Sequence, residues 1–422
     1  MASPIAIVVA ACVGVGLGTA TGLVPGLHVN SVAFALVGVA PGIDGPPAAV
    51  AAAILAAGVV HTFLSIVPGL VLGVPEAATA PGVLPGHRLV LAGRGREAIR
   101  LSALGSGIAL VGSVAVALPL SRVVAAGREW LLAALPLVLA AIAGLLILAE
   151  PTRRGKVGGA VCLAVATGLG LVALDLPASG PLSPAGAASM LSPIFGGLFG
   201  APILLDALDA DGAIPPQEAV TVGLSRVGVV RAALSGVGGG TLVGYLPGVS
   251  AGVAAVLALG GAGGSGPAGR GSDRAYVVAT SGADTATAVF AVASLAVLGA
   301  PRSGVTVAIA ELGGGNGAAT GGASTPGMGL VGMLLVIVLA ASLGLVLLVT
   351  VGDRYLSVIR RLPRRPLVLC VLGLLVALAV GFAGTLGGAV FCVSAVVGLL
   401  PPRVGARRVH LMGVLLGPVA LG

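Results

Sequence analysis

The chain has 422 residues, of which 57% are hydrophobic, 9% charged and 3% aromatic, with a formal net charge of +8. Soluble domains carry about 25% charged residues, so this composition excludes a soluble enzyme or binding module. The apolar runs are continuous rather than alternating, which predicts an all-α integral membrane protein instead of a barrel.

Most basic residues sit in short loops between apolar runs, so the positive charge reflects membrane topology and not nucleic-acid binding. Most of the 71 glycines are read as packing residues between membrane helices. Cys12, Cys162, Cys370 and Cys392 lie in apolar stretches without C-x-x-C spacing and are expected to be small buried hydrophobes.

In chain order, the first apolar run lacks the basic flank of a signal peptide and reads as a retained helix. It leads into Thr21-Gly-Leu-Val-Pro25-Gly26-Leu-His28-Val-Asn30-Ser31. Proline removes a helical N–H and glycine adds flexibility, so the helix is expected to break here. Free backbone groups at membrane depth are tolerated only when buried in protein or lining a cavity. A helix restarting after the break offers unpaired N–H groups and partial positive charge, which suit a carboxylate. His28, Asn30 and Ser31 would add neutral polar groups that fix its orientation.

The next apolar run contains His61 and Thr62 and ends in Leu72-Gly-Val-Pro75-Glu76. His61 reads either as a proton relay or as a hydrogen-bonded core histidine, and Glu76 as an ion ligand or a membrane-edge residue. A basic loop, Arg88 to Arg100, follows. Spans are expected over Trp130–Ala149 and Val157–Leu174, separated by Arg153, Arg154 and Lys156.

Asp206–Arg226, with Pro215-Pro216 and several acids, reads as a cytoplasmic linker. It divides the chain into a first membrane repeat, 1–205, a linker, 206–226, and a second repeat, 227–422. The second repeat opens with another break, Val243-Gly-Tyr-Leu-Pro247-Gly248-Val-Ser250. The glycine-rich Gly260–Gly271 stretch lacks the Lys-Ser/Thr of a phosphate-binding loop and reads as a flexible cytoplasmic loop, so ATP is not expected as the direct energy source. Asp284 then lies in a long apolar context with Ser281, Thr285 and Thr287, an expensive placement that marks a functional acid. Further spans are expected over Gly329–Val351 and Pro366–Val380.

Pro25 and Pro247 lie 222 residues apart, and Leu72-Gly-Val-Pro75 matches Leu298-Gly-Ala-Pro301 at 226. At that spacing the basic loop Arg88–Arg100 falls on the uncharged Gly313–Pro326. The Arg122/Arg128 loop falls on the basic Arg354–Arg365, and Arg153–Lys156 falls on the uncharged turn near Gly381. Basic loops stay cytoplasmic, so the two halves are expected to be copies of opposite orientation. Together they hold about ten to twelve membrane segments, some broken or re-entrant.

Paired broken segments point to a transporter's binding site. The substrate-binding candidates are Pro25, Gly26, His28, Asn30, Ser31, Pro247, Gly248 and Ser250. Those for ion coupling are Ser281, Asp284, Thr285, His61 and Glu76. The histidines lack i, i+4 spacing, so no metal site is expected. The one G-x-S-G, Gly263–Gly266, sits in the glycine-rich loop, so no enzyme activity and no cofactor beyond a coupling Na⁺ or H⁺ is expected. A membrane scaffold with merely structural breaks, or a passive channel, are the alternatives.

The chain resembles the large membrane subunit of tripartite tricarboxylate transporters, in its archaeal-type branch. The resemblance rests on Gly22-x-x-Pro25-Gly-x-His28-x-Asn30, Leu72-Gly-x-Pro75, Leu84-Pro-Gly-His87-Arg88, Gly95-x-Glu97-Ala-x-Arg100, Leu246-Pro-Gly-x-Ser250, Asp284-Thr285-Ala and Arg302-Ser-Gly304. These recur in family order over about residues 15–305. The resemblance implies gradient-driven uptake of di- or tricarboxylates across the cell membrane. It also implies a small membrane subunit and an extracytoplasmic binding protein as partners. His28 and Asn30 replace the mostly glycine and small polar residues of the bacterial type, and Glu76-Ala-Ala is less acidic than related archaeal-type sequences.

Overall fold

The computed structural model describes residues 2–27, 29, 32–33, 35–36, 45–74, 83–182, 189–208, 214–246, 249, 251–258, 270–299, 301–313 and 327–421. The described residues contain helices and no strands. The helices are α1 (Pro4–Gly22), α2 (Pro47–Leu72), α3 (Val83–Leu91), α4 (Gly95–Ala126), α5 (Arg128–Leu148), α6 (Arg153–Ala173) and α7 (Leu191–Leu208) in the first half. After the linker come α8 (Arg226–Tyr245), α9 (Ala251–Ala258), α10 (Arg270–Leu298), α11 (Gly304–Leu312), α12 (Gly329–Ile359), α13 (Arg364–Gly398), α14 (Leu400–Val404) and, beyond a 3₁₀ turn, α15 (Gly413–Leu421).

Nine stretches of the described residues are long and apolar enough to cross a bilayer. Large apolar side chains such as Val111, Trp130, Leu137 and Val331 stand on exposed helix faces, as a lipid-facing surface requires. Cys162 is buried as expected, but Cys12, Cys370 and Cys392 are exposed, because they fall on these outward faces.

The long stretch from Arg364 to Val404 is not one rod. Gly384 has φ 70° and ψ −167°. A Cβ at Gly388 would touch Val380 and one at Gly387 would touch the Ala379 carbonyl, contacts impossible eight residues apart in a continuous helix. The chain therefore doubles back at Gly384, within the uncharged turn expected between two limbs.

Two helices form the centre: 83% of the apolar window of α2 and 72% of that of α10 are buried, against 28% for α1 and α4. Their neighbours reach them through glycines. A Cβ at Gly14, Gly18 or Gly22 of α1 would run into Ala53, Ala57 and His61 of α2. A Cβ at Gly236, Gly240 or Gly244 of α8 would likewise meet Ala279, Ala283 and Phe290 of α10. Small residues every fourth position let helices pack backbone to backbone in a medium where the hydrophobic effect cannot drive them together. The second ladder follows the first at the same spacing that separates Pro25 from Pro247.

In each pair the contacts advance together along both chains, so α1 runs parallel to α2, and α8 parallel to α10. The pairs themselves run in opposite directions. The end of α2 and the start of α10 both meet α3: His87 Nδ1 lies 2.7 Å from the Leu70 carbonyl, and Arg88 Nη2 lies 2.6 Å from Asp273.

The basic loops gather at this same end of the bundle. Arg100 pairs with Asp353 at 2.6 Å and Arg408 with Asp206 at 3.0 Å, and Arg154 donates to the Arg403 carbonyl. The described segment 214–225 between α7 and α8 docks there too. Gln217 Oε1 accepts from Gly95 N at 2.6 Å, and Gly223 N donates to Glu97 at 2.6 Å. Glu97, 3% exposed, is also held by Arg274 through Nε at 2.6 Å and Nη2 at 2.9 Å.

Candidate functional site

The polar residues of the two central helices meet in one small cavity. It is lined by Thr62, Phe63 and Ile66 of α2, Ser102 and Ser106 of α4, and Ser281, Asp284 and Thr285 of α10. Glycines make the meeting possible. Gly105 of α4 lies against the backbone of α10 at Val278, bringing the flanking serines within hydrogen-bond reach of α10.

The hydrogen bonds define the cavity's chemistry. Ser281 Oγ donates to Ser102 Oγ at 2.9 Å, while Ser106 and Thr285 donate to the Ser281 carbonyl at 3.3 and 3.0 Å. Thr62 donates to the Gly58 carbonyl at 3.0 Å. Four hydroxyl protons are thus already engaged, whereas a hydroxyl oxygen has two lone pairs to offer. Beside them stands the carboxylate of Asp284, 7% exposed. The void of about 10 Å³ holds roughly one water or one small ion.

Ser281, Asp284 and Thr285 are thus brought together as the sequence pattern suggested. Ser102 and Ser106 were missed. Their signal is slight: two serines four apart flanking Gly105, hence on one face of α4.

His61 is fully buried, and its Nδ1 lies 3.0 Å from Thr21 Oγ1. The Thr21 hydroxyl donates its own proton to the Leu17 carbonyl at 2.8 Å, so Nδ1 is the donor in this contact. His61 therefore straps the last turn of α1 to α2, one residue before the cavity-lining Thr62.

The first break follows directly. Tight turns replace the helical pattern (Val24 N to Thr21 O at 3.1 Å, Leu27 N to Val24 O at 3.3 Å), and Gly26 takes φ +77°. A Cβ at Gly26 would strike Leu375 of α13, so both backbone conformation and space demand glycine. Beyond it, Val32 and Ala33 are helical and buried. In the second half, α8 ends at Tyr245, whose hydroxyl lies 2.7 Å from Ser121 of α4, and Leu246 is extended. His28, Asn30, Ser31, Glu76, Pro247, Gly248 and Ser250 lie outside the described residues.

The two halves are chemically unequal around the cavity. At the spacing of 226, the position matching Asp284 is Gly58, which the side chain of Val305 from α11 covers. Among the described residues that line the cavity, the acid comes from the second half.

A family model described as the tripartite tricarboxylate transporter TctA family matches residues 8–413. The chain is also similar to an uncharacterized protein of Methanocaldococcus jannaschii, 36% identical over 107 residues. That alignment spans 25% of this chain and 26% of the relative. No solved structure matches. The match of nearly the whole sequence, on an all-helical multi-pass membrane architecture, identifies the chain as a member of the TctA family of tripartite tricarboxylate transporters.

Proposed function

We propose that this protein is the permease of a secondary transporter that carries small organic anions, di- or tricarboxylates, into the cell, and that Asp284 binds the coupling cation. The observation that carries the coupling role is the cage of one carboxylate and five hydroxyls closing on a void the size of a single ion. With most of the hydroxyl protons engaged, the cage offers several oxygen lone pairs at once. A Na⁺ uses them in number and a proton only one, so Na⁺ is the cation we favour over H⁺.

In this reading residues 1–205 and 227–422 are two repeats of inverted topology joined by the linker 206–226. Support comes from the two glycine ladders at equal spacing and from the opposite directions of the α1–α2 and α8–α10 pairs. The substrate would sit at the paired breaks, with Pro25 and Gly26 shaping one side and Pro247, Gly248 and Ser250 the other. His28, Asn30 and Ser31 would supply neutral donors and acceptors. Motion of one repeat against the other would then expose the breaks to each side of the membrane in turn. Family membership supports a small membrane subunit and an extracytoplasmic binding protein as partners.

The test is uptake into vesicles holding the purified chain together with its partner subunits. A di- or tricarboxylate should accumulate under an inward Na⁺ gradient, and Asp284→Asn should abolish accumulation while the protein still folds. Undiminished gradient-driven uptake by Asp284→Asn would sink the coupling role. Ion conductance without coupling would favour a channel instead.

A further inference from the structure

A second polar cavity lies away from the Asp284 cage, at the end of the bundle where the basic loops gather. It has a volume of about 260 Å³ and is bordered by Arg360, Arg364 and Arg408, with His87, Asp206 and an apolar wall that includes Leu367. Among the described residues that line it, three arginines stand beside one carboxylate, Asp206. That carboxylate is already engaged by Arg408 Nη2 at 3.0 Å and is 60% exposed, which leaves its pairing largely screened by solvent.

His87 contributes no charge. Burial and the nearby Arg364 hold its imidazole below the ordinary range, against the opposing effect of its hydrogen bond with Leu70. Arg408 is only 11% exposed, and its Nε is buried with no hydrogen-bond partner among the described residues. A buried cationic donor of this kind calls for an acceptor.

We propose that this cavity binds the phosphate of an anionic phospholipid headgroup, held by Arg360, Arg364 and Arg408. Guanidinium groups match phosphate oxygens in geometry as well as charge. The depth is right for a headgroup: Arg360 ends the membrane helix α12 and Arg364 begins α13. The wall suits a lipid rather than a free anion, because Leu362 and Leu367 line the cavity and Leu362 is itself exposed on the outer surface, where an acyl chain would lie. Basic cavities between membrane helices on the cytoplasmic side are suited to such headgroups. The inference does not depend on the transport reading, since it uses no residue of the Asp284 cage or of the two breaks.

The experiment is a thermal-shift and native mass spectrometry titration of delipidated, detergent-solubilised full chain. Four probes are compared: short-chain phosphatidylglycerol, phosphatidylcholine of the same chain length, inorganic phosphate, and citrate. Phosphatidylglycerol should stabilise the protein and be retained as a bound adduct, phosphatidylcholine should not, and inorganic phosphate should compete only weakly. Arg360→Gln and Arg364→Gln should each weaken phosphatidylglycerol about fivefold. Arg360 is exposed at a helix end, so Arg360→Gln keeps the fold and keeps the test decisive even if Arg408→Gln does not express. Equal stabilisation by the two lipids, or binding unchanged in both variants, would overturn the proposal. Inorganic phosphate or citrate binding as tightly as the anionic lipid would overturn the lipid assignment and make this a free-anion site.

Discussion

Replacing Glu97 by leucine removes the acceptor around which the basic end of the bundle is organised. Arg274 would lose two short charge-assisted hydrogen bonds while remaining 5% exposed, and the Gly223 N–H would lose its acceptor. Breaking a buried pair from one side typically costs about 3–5 kcal/mol, because the remaining charge stays desolvated. Arg274→Met alone should also be costly, because it leaves the buried Glu97 carboxylate with only the Gly223 N–H and the longer Arg94 contact at 3.4 Å. The double variant Glu97→Leu/Arg274→Met removes both charges together, so the chief remaining loss is the stranded Gly223 N–H, about 1–3 kcal/mol. The double should therefore be more stable than either single, a coupling of several kcal/mol rather than additivity. Denaturant unfolding of all four proteins in one lipid–detergent mixture measures this. Losses that simply add, or a single substitution costing under about 1 kcal/mol, would refute the reasoning.

Gly240→Leu should prevent accumulation of folded protein, because its Cβ would enter the backbone of α10. Gly238→Leu, two residues away with open space around it, should be tolerated; membrane expression and gel-filtration profiles compare them. Ser102→Ala and Ser106→Ala should each weaken the coupling cation by roughly 2- to 10-fold, the range expected for losing one oxygen contact of about 0.5–1.5 kcal/mol, read as a rise in the Na⁺ concentration for half-maximal uptake.

Glu150, 4% exposed, is accepted into a bonded cluster by Arg407 at 2.9 Å and His410 at 2.8 Å. Burial alone would raise its pKa, but these partners outweigh burial and hold it below the ordinary glutamate range. A depressed folded pKa gives stability that is full above the ordinary glutamate range and is lost as pH falls through the lowered folded value. The stability gap between wild type and Glu150→Gln should thus be constant at neutral pH and shrink only on acidification below that range. A gap that shrank toward higher pH would contradict the assignment.

The sequence alone determined the membrane class, the main spans, the uncharged turn that became the reversal at Gly384, and the Pro-Gly break at Pro25, because these rest on local composition and backbone chemistry. It also marked Asp284, since an acid in an apolar run is conspicuous in one dimension. It could not supply Asp284's company. Ser102 and Ser106 look like ordinary helix serines until Gly105 brings α4 against α10, about 180 residues away. His61 was balanced between relay and core residue, and only its contact with Thr21 gave it a strap's role. Glu97 stood in a recognisable motif, but its ion pair with Arg274 depends on the first turns of α4 and α10 lying side by side. Spacing along a chain records which faces exist; which faces touch is decided by packing between segments far apart in sequence.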